Sequence, residues 1–114
     1  MSDLAISAIS ASLDGLAAQE RIIAQNLANA DTPGYTAGQV NFEDSLRSAI
    51  AKGDPTKTSI TTTPSTDPAN VDGNNVSVDE QSVSLTGTAL QYQLMTSAMN
   101  NELHILHESM RSDL

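Results

Sequence analysis

The sequence contains no cysteine and no tryptophan, a single phenylalanine (Phe42) and two tyrosines, Tyr35 and Tyr92. The missing thiols exclude disulfides, thiolate chemistry and cysteine-based zinc sites. Large rings supply much of the buried area of a compact core. With aromatics at 3% of 114 residues, the chain has little means of building one dense globule. An elongated molecule held by aliphatic helix contacts fits the composition better. Basic residues are also few: five against fourteen acids, a net charge of -9. Arg21, Arg47, Lys52, Lys57 and Arg111 are scattered. Phosphate binding needs clustered cations, so nucleic acid and anionic membrane are poor partners. No run of 18 apolar residues is present to span a bilayer. No basic stretch precedes the N-terminal apolar pattern, which Asp3, Asp14, Glu20 and Arg21 interrupt, so no Sec-type signal is expected.

What is present is helical periodicity at both ends. Ile6, Ile9, Leu13, Leu16, Ile23, Leu27 and Ala30 recur with gaps of 3, 4, 3, 7, 4 and 3, and Glu20 stands in the skipped position. This heptad-like seam predicts an amphipathic helix over residues 3 to about 30, roughly 40 Å long. Gly15 weakens it by up to about 1 kcal/mol relative to alanine. Pro33 ends the helix, and Pro33-Gly34 supplies the two central residues of a type II turn. Val40, Phe42, Leu46 and Ile50 predict a short extended stretch and then a turn or two of helix, with Asn41 as its cap.

Residues 51–75 are rich in Pro, Thr, Asp and Asn and poor in large aliphatics, and they read as a flexible linker. Ser77-Val78-Asp79-Glu80 fits a capping box. It opens a second long helix to about residue 112. Its apolar face runs Val83, Leu85, Leu90, Leu94, Met95, Ala98, Met99, Leu103, Leu106 and Met110, with Ile105 beside it. That stripe is wider than one partner helix needs. The expected fold is all-α: an elongated, coiled-coil-like antiparallel pair of terminal helices with a short intermediate segment and a long flexible loop. The divisions are 1–34, 35–50, 51–76 and 77–114.

Chemistry-bearing motifs are weak. Glu102, His104, His107 and Glu108 have i, i+3 and i+4 spacings that suit a metal, but two histidines alone make a poor site. A solvated or intersubunit helix face is the expected role. Met95, Met99 and Met110 read as packing. Asn75-Val76-Ser77 is a glycosylation triplet of a kind common by chance. No nucleophile–base pair or phosphate loop emerges, so no catalysis, cofactor or metal is expected.

One segment is far more specific. Ala24-Gln25-Asn26-Leu27-Ala28-Asn29-Ala30-Asp31-Thr32-Pro33-Gly34-Tyr35 closely resembles the N-terminal signature of the flagellar rod and hook axial proteins. Val40-Asn41-Phe42-Glu43, Gly73-Asn74-Asn75-Val76 and Leu90-Gln91-Tyr92-Gln93 resemble segments of the proximal-rod members. Thr36 and Gln91 stand where that group commonly has a basic residue. The resemblance implies a structural rod subunit of the flagellar basal body, exported by the type III apparatus and assembled helically above the export gate. Implied partners are further copies of itself, a FlgC-like rod protein, a FliE-like adaptor and gate proteins. The signature set is Asn26, Leu27, Asn29, Ala30, Asp31, Thr32, Pro33, Gly34 and Tyr35. The expected assembly seam is Ile9, Leu13, Leu16, Ile23, Leu27, Leu90, Leu94, Met95, Met99, Leu103, Leu106 and Met110. Asn26 and Asn29 are either solvent-exposed or bonded to a neighbouring chain or the returning loop. A FlgC-type sister subunit and, from another class, a soluble helical adaptor or secretion chaperone are the competing readings. Small side chains on one helix pair bury little area, so the free monomer is expected to be partly disordered at both ends.

Overall fold

A computed structural model describes residues 2–112. Two helices dominate it: α1 at Ser2–Ala28 and α2 at Val78–Ser112. At 1.5 Å per residue they run about 40 and about 52 Å. The molecule measures 67 × 25 × 14 Å with a radius of gyration of 17.8 Å. A compact chain of this length would have a radius near 13 Å. The end of α1 meets the start of α2 through Asn26 and Gln81, and Gln19 lies near Ser84, so the helices run antiparallel. The elongated pair is as the periodicity implied.

The fold is not wholly helical. Strands β1 (Gly38–Asn41) and β2 (Thr61–Pro64) form a two-stranded antiparallel sheet, with Val40 opposite Thr62. Between them lie a short helix, α3 (Glu43–Ala51), and a 3-10 turn at Pro55–Lys57. Residues 51–76, expected to be a flexible loop, therefore hold a 3-10 turn and a strand. The 3-10 turn and α3 pack on the face of α1 that α2 leaves uncovered. Ile6, Ser10 and Asp14 share a cleft with Pro55, Thr58 and Ile60. Threonine suits an extended, half-exposed strand as well as it suits a loop, so composition alone could not separate the two.

The N-terminus of α3 also differs from expectation. Its cap is Phe42, without a side-chain bond, and Asn41 instead donates across the sheet to the Thr63 hydroxyl at 2.9 Å. The α2 start is as written in the sequence: Ser77 Oγ accepts the Glu80 N–H at 3.3 Å.

The apolar core is small: Leu16, Ala18, Ile23, Ala37, Phe42, Ala49 and Val76. It lies around the middle of α1. A Cβ on Gly15 would stand 2.3 Å from Phe42 Cδ2, so the absent side chain is what lets the only phenylalanine ring lie against the α1 backbone. Helix propensity is sacrificed there for packing.

Candidate functional site: an asparagine clasp and an uncovered helix face

The signature segment becomes a joint. The Pro33-Gly34 turn forms as predicted, with Tyr35 N–H donating to Thr32 O at 3.3 Å and Gly34 at φ 75°, which glycine adopts without strain. Gly34 N–H donates to Asp72 O at 2.8 Å, joining this turn to the segment entering α2. Gly73, also at positive φ, lies so close that an added Cβ would be 3.2 Å from Gly34 Cα.

Asparagines hold the joint. Asn26 is 1% exposed. Its amide nitrogen donates to Gly38 O at 2.9 Å and to Gln81 Oε1 at 3.0 Å. Its oxygen accepts Gly38 N–H at 2.9 Å and the Tyr35 hydroxyl at 3.4 Å. One side chain thus ties α1 to β1 and α2, with both of its polar atoms used. This is the returning-loop alternative, within the chain itself. Asn74, equally buried, donates to Asn29 O at 2.9 Å and Thr32 O at 2.8 Å, a second bond to carbonyls that also accept the Thr32 and Tyr35 amides in the turn after α1. Its oxygen accepts Val76 N–H at 2.7 Å. Asn75 accepts Ala37 N–H at 2.7 Å and donates to Asp67 O at 3.1 Å. Asn29 points outward, donating to Gln25 O and accepting from Thr32. Asp31, Thr32, Pro33 and Gly34 are exposed, while Leu27, Ala30 and Tyr35 are half-buried. Physical reasoning from sequence did not single out Asn74 and Asn75. Their polar, turn-like context hid the buried role of Asn74 and the half-buried one of Asn75.

The clasp also sets the rotation of α2. Its protected positions include 81, 85, 88, 92, 95, 99, 102 and 106, an alternation of 4 and 3 that defines a heptad seam. That stripe contains Gln81, Thr88 and Glu102, and Thr88 is 3% exposed. The inward face is therefore mixed, with Leu85, Met95, Met99 and Leu106 interspersed among these polar residues. Of the expected seam, Leu16 and Ile23 are buried in the chain's own core. Ile9, Leu13, Leu27, Met95, Met99 and Leu106 are half-buried. Leu90, Leu94, Leu103 and Met110 face solvent at 46–64% exposure, as do Val83 at 74% and Ile105 at 47%. Eight of the twelve expected seam residues are thus buried or half-buried within the chain, and four face outward.

Electrostatic features are sparse. The two ion pairs among the described residues, Arg47–Asp44 at 3.0 Å and Arg111–Glu108 at 3.8 Å, are exposed i, i+3 pairs that add little. Asp54 caps the 3-10 turn, and hydrogen bonding from the Thr56 hydroxyl, helped by the Thr56 amide and Lys57, holds its pKa below the ordinary 3.8. His104 and His107 are exposed, and no group of three or more metal-ligating acids and histidines gathers among the described residues.

Comparison with known proteins agrees with the joint. The family model described as "Flagella basal body rod protein" matches residues 5–36, which is α1 and its turn. The class so defined is a structural protein of the flagellar basal body. The basal body rod protein FlgB of Escherichia coli (strain K12) is 30% identical over 108 residues, covering 76% of this chain and 78% of that protein. FlgB of Salmonella typhimurium is 27% identical with the same coverage. FlgB of Bacillus subtilis (strain 168) is 27% identical over 101 residues, 77% of this chain and 78% of its own length. The chain belongs to the FlgB family of flagellar basal body rod proteins. Its place is the rod, and its role there is structural.

Proposed function

We propose that the chain is a subunit of the proximal rod that assembles helically above the export gate, through the outward faces of its two terminal helices. The observation that carries this reading is the exposed stripe Val83, Leu90, Leu94 and Ile105 on a helix whose other face α1 already occupies. A helix apolar on two sides is stable in water with one side covered and loses free energy again when the second is covered. Neighbours in this reading are further copies, a FlgC-like rod protein and a FliE-like adaptor. The exposed apolar positions also support a free subunit whose helix ends become fully ordered only in the rod.

The test is Leu90→Asp with Leu94→Asp, two substitutions at exposed positions. Circular dichroism should show an intact subunit, while basal bodies purified from the mutant cells should lack the chain and the cells should not swim. Normal motility with the double variant in the rod would refute assembly through this face.

A further inference from the structure

Two Asp-Gly dipeptides occur in the chain, Asp14-Gly15 and Asp72-Gly73. In such a pair the aspartate carboxyl carbon is open to attack by the next amide nitrogen, because glycine has no side chain to shield it. An N–Cγ bond forms, the nitrogen gives up its proton, the carboxyl gives up its OH, and one water leaves. Water then reopens the cyclic imide. Attack at Cγ restores aspartate. Attack at the former backbone carbonyl leaves isoaspartate, with the chain routed through Cβ and one methylene longer. No oxidant, reductant or enzyme is needed.

The fold treats the two sites differently. Asp14 and Gly15 lie within α1, where helix geometry ties the Gly15 amide to the carbonyl one turn back. Asp72 and Gly73 lie in an exposed turn, and hydrogen bonds engage every group the reaction needs. Gly73 N–H donates to Asn70 O at 2.9 Å, so the nucleophile keeps its proton. The Asp72 carboxylate accepts Asn74 N–H at 3.1 Å. Asp72 O, which would become a ring carbonyl, accepts Gly34 N–H at 2.8 Å. Asn70 N–H closes the turn on Asn74 O at 2.7 Å. Isoaspartate here would also be incompatible with the joint. Its extra methylene would push Asn74 out of a seat in which it is 1% exposed, and Asp72 O would become part of a pendant carboxylate.

We propose that Asp72-Gly73 is a self-modification site gated by the joint: closed, the joint locks the carboxyl and the amide; open, it lets them cyclise, and the isoaspartate formed keeps it from closing again. The site therefore records time spent open. A subunit that folds promptly stays intact, and one held unfolded accumulates chains that cannot close.

The purified full chain, aged in warm neutral buffer with and without urea, tests this. Peptide mapping locates isoaspartate, and a methyltransferase specific for isoaspartyl carboxylates counts it. In urea both sites should react at similar rates. In native buffer Asp72 should react at least about tenfold more slowly, through local opening alone. Asn26→Leu, which loosens the joint without changing residues 70–74, should speed Asp72 in native buffer by about tenfold. The damage arm uses an Asp14→Glu background, which removes the other site. After ageing in urea and return to native buffer, this chain should regain its melting transition only in proportion to its unmodified fraction. Adding Asp72→Glu should give full recovery. Equal rates at Asp72 with and without urea, no isoaspartate there in urea, an Asn26→Leu rate equal to the parent's, or modified chain melting like unmodified chain would each overturn the proposal.

Discussion

Replacing Gly15 by alanine sets two effects of opposite sign against each other. Helix propensity favours alanine by about 1 kcal/mol. Packing opposes it, because the new methyl would stand 2.3 to 2.5 Å from three ring carbons of Phe42, which is 5% exposed. Overpacking a filled site costs about 1–3 kcal/mol, and expelling the ring altogether forfeits a similar transfer term, about 1.5–3 kcal/mol. Phe42 follows β1 and precedes α3, so it has little freedom to slide without moving both. The expected result is a net destabilisation of about 1 kcal/mol, on a total stability of about 5–15 kcal/mol. The control is the same change in a Phe42→Leu background, where the ring is gone. There alanine should stabilise by up to about 1 kcal/mol, giving a coupling of about 2 kcal/mol in the double-mutant cycle. Urea unfolding followed by circular dichroism of the four proteins measures it. Gly15→Ala stabilising both backgrounds equally would refute the close packing of Phe42 on α1.

Asn26→Leu should cost about 2–4 kcal/mol by urea melt, because it strands the Gly38 amide and the Gln81 side chain in a buried joint; a neutral outcome would mean the clasp is not formed. Asn74→Ala should also lower the unfolding midpoint, because it strands the buried Val76 N–H and cuts the bonds that tie the entry of α2 to the carbonyls of Asn29 and Thr32. Deleting residues 55–64, which a linker would tolerate, should instead lower the midpoint sharply, since the 3-10 turn and β2 are removed from α1 and β1; an unchanged midpoint would restore the linker reading. The lowered pKa of Asp54 means its charged form is favoured on folding. Its contribution is present above the ordinary 3.8 and is lost as pH falls through the lower folded value. Asp54→Asn should therefore be less stable than the parent at neutral pH, with the gap closing in acid, read by thermal melts across that range.

The sequence by itself determined the two long helices, the turn at Pro33-Gly34, the Ser77 cap and the family. Each of these rests on local periodicity, on backbone restrictions of single residues or on a long contiguous motif. Tertiary structure alone decided which face of α2 turns inward. Apolarity offered two faces, Leu85, Met95, Met99 and Leu106 or Leu90 and Leu94, and the bond of Asn26 to Gln81 goes with the first of them turned to α1. Thr88 goes inside and Leu90 is left in water. The β1–β2 pairing and the seat of Phe42 on Gly15 were likewise invisible. They join residues about twenty or more positions apart, and local sequence patterns carry no information about partners at that distance.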